Sequence, residues 1–148
     1  MKIYLAAQFS EQALMKEWRK LLRQNGHYVT SRWLEVKESG LDEAHKTDAA
    51  DEAAKDLQDI KASEIVISKT INRGDMFTGG GRHIEFGYAL ALDKMLINVG
   101  GYESVFHKLA FVTVSTIEQA IEIVNEAAKA KAKRQSATQQ SEINIVHP

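Results

Sequence analysis

The chain is predicted to form one α/β domain built on a doubly wound parallel sheet. Short apolar runs alternate with amphipathic helical stretches through most of its 148 residues. That alternation is the pattern of parallel strands covered by helices on both faces. A hydrophobic content of 44% supplies enough material for one sizeable core. Five apolar runs can be assigned as strands, which suits a flavodoxin-like order 2-1-3-4-5.

The elements follow in order. Ile3 to Ala7 reads as a buried first strand. Leu14, Trp18, Leu21 and Leu22 repeat at helical spacing, and Asn25-Gly26 supplies a stop. His27 to Leu34, with Tyr28, Val29 and Trp33, suits a second strand. Residues 35–46 are polar and read as a loop. A second helix is expected from Thr47, with Ala50, Ala53, Ala54, Leu57 and Ile60 on one face and Thr47 or Asp48 as its cap. Glu64 to Ser68 is the third strand, and Lys69 to Gly81 a long polar loop. A third helix from about Arg82 to Leu92, strands at Lys94 to Val99 and Ala110 to Val114, and a helix opening at Ser115 or Thr116 complete the domain over residues 1–134. Residues 135–148 form a polar tail, expected to be flexible or to pack on a neighbouring subunit through Ile143 to Val146.

Composition excludes several functions. Nineteen basic residues against twenty acidic ones give a formal charge of −1, which argues against a nucleic acid polymer as the main partner. With no cysteine, disulfides, thiolate metal sites and cysteine nucleophiles are excluded. No run reaches the roughly 20 apolar residues of a membrane span, and no signal-peptide layout precedes Ile3. A cytoplasmic protein acting on a small molecule is the expectation.

In a doubly wound sheet, ligands bind beyond the carboxyl ends of the strands. The loops after strands one and three open there, so Gln8, Phe9 and Ser10 should share a cleft with the loop from Thr70 to Arg82. That loop ends in Gly79-Gly80-Gly81-Arg82, which leads into an apolar helix carrying Glu85. Glycines let the backbone approach a ligand, and a helix start adds free N–H donors and partial positive charge. A glutamate there is expected to stay ionised, as a nucleophile or charge stabiliser, or simply to complement the helix dipole. The glycines with Arg82 could also cradle a phosphate, although neither the Walker A nor the dinucleotide pattern is present. Asp56 and Asp59 lie three apart and can share one helical face, and Asp75 precedes the glycines. Paired carboxylates can break a glycosidic bond, one at C1′ and one managing a proton, and they are also common as solvated surface. The five histidines show no ligand spacing, and no metal or cofactor is expected.

Tyr4, Lys55-Asp56-Leu57 and the stretch Gly81-Arg82-His83-Ile84-Glu85-Phe86-Gly87-Tyr88-Ala89-Leu90-Ala91 resemble the nucleoside 2-deoxyribosyltransferase family, which includes 2′-deoxynucleoside 5′-phosphate N-hydrolases. The similarity spans roughly residues 2 to 126. It implies a homodimer or higher homo-oligomer whose sites are completed by a neighbour. By position, Glu85 matches the nucleophile that attacks C1′ of the deoxyribose, Tyr4 the tyrosine that orients it, and Asp56 an aspartate that contacts substrate. Gln8, Phe9, Asp75, Gly79, Gly80, Gly81 and Arg82 are the expected substrate-binding residues. The transferases carry an acid six positions before the nucleophile, where this chain has Gly79, and Asp75 could reach the same space. The hydrolases use small residues and backbone amides there to hold phosphate, but their arginine-bearing first loop is Gln8-Phe9-Ser10 here. A non-catalytic nucleotide-binding module and an NAD-cleaving glycohydrolase are the alternatives.

Overall fold

The computed structural model describes residues 1–37, 49–71 and 80–146, with side chains described as far as residue 139. Five parallel strands, β1 (Lys2–Ala6), β2 (Tyr28–Val29), β3 (Ile65–Lys69), β4 (Met95–Val99) and β5 (Val112–Val114), form one sheet in the order β2-β1-β3-β4-β5. Four helices connect or follow them: α1 (Gln12–Gln24), α2 (Ala49–Ala62), α3 (Gly81–Ala91) and α4 (Ile117–Val146). This is the doubly wound order expected from the sequence.

Strand register decides which face each side chain meets. Tyr4 pairs with Val66 and Val66 with Leu96, so these three share a face. The neighbouring row, Ile3, Leu5, Ile65, Ile67 and Ile97, is fully buried on the opposite face. Helices α2 and α3 pack on one another and both touch β1. Helix α1 buries Met15, Trp18 and Leu22 at spacings of three and four. The turn after it meets α4, where His27 Nε2 lies 2.7 Å from Asn125 Oδ1. Helix α4 opens on the expected residues. Thr116 Oγ1 accepts from the Gln119 amide (3.3 Å), and Gln119 Oε1 accepts from the Ser115 amide (2.9 Å).

The second strand is shorter than expected. Only Tyr28 and Val29 pair with β1, and residues Arg32–Glu35 form a 3₁₀ turn. Hydroxyls and a carboxylate capture the backbone here. The Leu5 amide donates to Ser31 Oγ (2.7 Å), and the Arg32 amide donates to Asp59 Oδ2 (2.9 Å) instead of to a ladder. Two more 3₁₀ turns, Phe9–Glu11 and Val105–Leu109, fall where no element was expected. The Thr47 or Asp48 cap lies outside the described residues.

The turn after β4 has one demanding position. Gly100 has φ +111°, and a Cβ there would sit 2.6 Å from Thr70 Oγ1 and 3.2 Å from the Thr70 carbonyl oxygen. The same Thr70 hydroxyl bonds to the Gly101 carbonyl at 2.8 Å, so it is not free to swing away. Gly100→Ala is therefore expected to cost about 2 kcal/mol or more and to lower Tm by about 4–8 °C. Gly101→Ala, where a Cβ meets open space, is the control. Equal melting temperatures for the two variants would refute the argument.

Candidate active site

The site is assembled by β1, α2 and α3 on one side of the sheet. Tyr4 is fully buried in β1, and its hydroxyl donates to Glu85 Oε1 at 2.7 Å across 81 residues of sequence. Glu85 stands in the second turn of α3, because the helix begins at Gly81. Asp56 comes from α2 and is part-buried, as is Glu85. Thus three of the expected residues, Tyr4, Asp56 and Glu85, come together around one hydroxyl.

Their electrostatics differ from what a helix start suggests. Burial raises the Glu85 carboxyl to about 8, and the nearby Asp56 adds to the rise. The Tyr4 hydrogen bond and the Arg82 charge oppose it without winning. The expectation that Glu85 stays ionised is corrected accordingly: one helix turn into the fold, desolvation outweighs the dipole. Asp56 is raised to about 7 by burial, then by Asp59 and Glu52, while Tyr4 and Arg32 favour its charged form. Tyr4 is held well above the ordinary tyrosine range by burial and by the Glu85 and Asp56 charges, so it remains a hydrogen-bond donor. Two carboxyl groups that titrate near neutrality beside a fixed donor can divide a proton between them.

Asp59 has a different task from its helix neighbour Asp56. Its carboxylate is buried and accepts from the Arg32 amide (2.9 Å) and from Arg32 Nε (2.8 Å). This fastens α2 to the turn after β2. The pair of aspartates therefore splits into one structural and one site residue.

Gly80 and Gly81 lie exposed at the start of α3, and a Cβ at either would meet open space. Gln8 and Phe9 follow β1 at the carboxyl edge of the sheet. The Gln8 side-chain oxygen accepts from Ser10 Oγ (3.4 Å), its Nε2 is buried with no hydrogen-bond partner among the described residues, and Phe9 packs on Trp33 with ring centroids 6.2 Å apart. The Arg82 side chain, unlike these glycines, is not exposed. Its guanidinium is buried against Glu103, with Nη2 2.5 Å from Oε2 and Nε 3.4 Å from Oε1. Asp75 and Gly79 lie outside the described residues. Sequence reasoning singled out neither Glu103 nor the Lys69–Glu11 ion pair at the end of β3. The position of Glu103 just after a parallel strand was the signal that could have flagged it.

Among the described residues, no group of three His, Asp or Glu side chains could hold a metal ion. A groove of about 770 Å³ lies at the opposite edge of the sheet, between Met1, Met95, Phe111 and the α4 residues Ile123 and Ala127. It contains none of the three site residues.

A family model described as nucleoside 2-deoxyribosyltransferase matches residues 3–124. Among solved structures, a CMP N-glycosidase from Clostridium botulinum is similar with a TM-score of 0.53 and 16% identity, over 84% of this chain and 98% of that one. A 2-desoxiribosyltransferase from Leishmania mexicana gives 0.48 and 19% identity, over 66% of this chain and 63% of that one. At these identities the structural likenesses speak for the fold alone. No curated protein sequence matches the chain.

Proposed function

The chain belongs to the nucleoside 2-deoxyribosyltransferase family, and from that premise we propose that it cleaves the N-glycosidic bond of a 2′-deoxynucleoside through a covalent deoxyribosyl–Glu85 ester. The observation that carries this reading is the 2.7 Å bond from Tyr4 to Glu85 Oε1, with Asp56 beside it. The hydroxyl holds one carboxylate oxygen and leaves Oε2 to attack C1′. The C1′–N bond breaks as the ester forms, and the departing base needs a proton. Asp56, titrating at about 7, is suited to supply it. A second base, or water, then attacks C1′ and releases the Glu85 carboxylate. Its proton returns to Asp56, so the site is regenerated in either case.

The charge arrangement favours an uncharged nucleoside. Among the described residues, Arg82 is paired with Glu103, Lys69 with Glu11 and Arg32 with Asp59. A 5′-monophosphate is the second reading, favoured by the open space above Gly80 and Gly81 at a helix start. The proposed active form is a homo-oligomer. The turn at Val105–Leu109 packs on α3 through His107, which meets Phe86 edge-on at 4.8 Å. Ile84, Val105, Phe106 and Leu109 beside it are all exposed.

Chromatography of reactions with deoxynucleosides and their monophosphates, with and without excess free adenine or cytosine, tests the reading. Formation of a new deoxynucleoside is the expected result. Free base alone, from nucleosides or only from monophosphates, would make water the acceptor. No product from any substrate would refute catalysis and leave a nucleotide-binding module, which heat stabilisation by the same compounds would reveal. Light scattering on the same sample gives the subunit number.

A further inference from the structure

Glu103 takes no part in the chemistry above, yet its carboxylate joins three segments of the site wall. Oε1 accepts from the Ile71 amide at 2.7 Å, where the chain leaves β3. Oε2 receives Arg82 Nη2 at 2.5 Å, where the chain enters α3. His83 Nε2 also stands 3.4 Å from Oε2. Behind it, the backbone amides of Glu103 and Ser104 both donate to His107 Nδ1, at 3.3 and 3.1 Å. The ring of His107 in turn packs against Phe86. One carboxylate therefore ties the chain just after β3 to the first turn of α3.

The ion pair is almost completely enclosed, with side-chain exposures of 2% for Arg82 and 3% for Glu103. An enclosed ion pair is a weak source of stability, since removing both charges from water costs about as much as their attraction returns. What it does supply is a direction. Arg82 lies three residues before Glu85, on the same side of α3 and about one turn away. Helix α3 cannot slide or turn about its axis without pulling Arg82 away from Glu103.

We propose that Glu103 is a positioning residue for Glu85: by holding Arg82 it sets the place of α3, and it keeps the arginine charge where it acts on the nucleophile. The proposal rests on the reading of Glu85 as nucleophile. Among the described residues, the groups that act on Glu85 are Tyr4 from β1, Asp56 from α2 and Arg82 from α3 itself. Of these, Arg82 supplies the positive charge that favours the carboxylate. His83 is held below the usual histidine range by burial and by Arg82, so it adds no second charge at neutral pH.

Two variants separate position from charge. Glu103→Asp keeps the charge and shortens the arm by one methylene. It is expected to lower kcat about tenfold with KM within about twofold, while Glu85, followed by carbon-13 NMR and assigned with Glu85→Gln, titrates as in the wild type. The double variant Arg82→Met, Glu103→Leu replaces the pair with apolar side chains and is expected to fold. In it, the Glu85 titration should move upward, leaving about a tenfold smaller ionised fraction at pH 7. An unchanged kcat in Glu103→Asp, or an unmoved Glu85 titration in the double variant, overturns the proposal. Should the wild type turn over no substrate, the reading of Glu85 as nucleophile fails. The NMR titration of the folded double variant then decides the electrostatic role by itself.

Discussion

Replacing Glu85 with alanine is expected to lower kcat by about 10⁴-fold or more for any substrate the wild type accepts. In the proposed mechanism no ester forms without a carboxylate at C1′, and departure of the base would depend on direct attack by water. The variant should nevertheless fold. Glu85 is a part-buried acid raised to about 8, so the native state gains little from its charge at pH 7. The Tyr4 hydroxyl loses its acceptor, which costs about 1 kcal/mol. A single chromatographic time course beside a thermal melt checks both halves. Activity within tenfold of the wild type would remove Glu85 from the mechanism, and a collapsed melt would show that the carboxyl is structural.

The second large effect is on pH. In the unfolded chain Glu85 releases its proton near 4.5, whereas the native state retains it to about 8. Across that window the unfolded state binds fewer protons, so stability falls as pH rises. For Glu85 the loss is of the order of 4 kcal/mol. Asp56, moved from 3.8 to about 7, acts in the same direction. Because the two carboxyls repel each other, they titrate as a pair and their contributions do not simply add. Urea titrations from pH 5 to 8.5 should show the wild type losing stability faster than Glu85→Gln, and parallel curves would contradict the assignment. Activity follows the same pair. The proposed chemistry needs one proton shared between the two carboxyls, so kcat/KM should peak between about pH 7 and 8, the two titration points. A rate that is flat from pH 5 to 9 would leave that proton without a role.

Much of this molecule was legible before any coordinates. The apolar runs at Ile3, Ile65 and Leu96 are local signals. A buried parallel strand must be apolar on both faces, which makes such runs hard to mistake. Met15, Trp18 and Leu22 announce α1 by spacing alone. The family segment around Glu85 is contiguous, so it too could be read along the chain. Less legible was the stretch after Val29, where β-prone residues pointed to a longer strand. There Ser31 Oγ took the Leu5 amide of β1, and Asp59, 27 positions beyond Arg32, took the Arg32 amide.

The sequence by itself determined the strand order, the family and the identity of the three residues that meet at the site. Their protonation was decided by the tertiary structure, because burial and the approach of Asp56 to Glu85 arise only when α2 and α3 pack over β1. The place of Arg82 was decided in the same way. A basic residue after three glycines suits an anion in any local reading, but the folded chain turns it inward onto Glu103, 21 residues away. Periodicity and motifs are properties of neighbours along the chain. Charge state and pairing depend on neighbours in space, and here those come from β1, α2, α3 and the loop after β4.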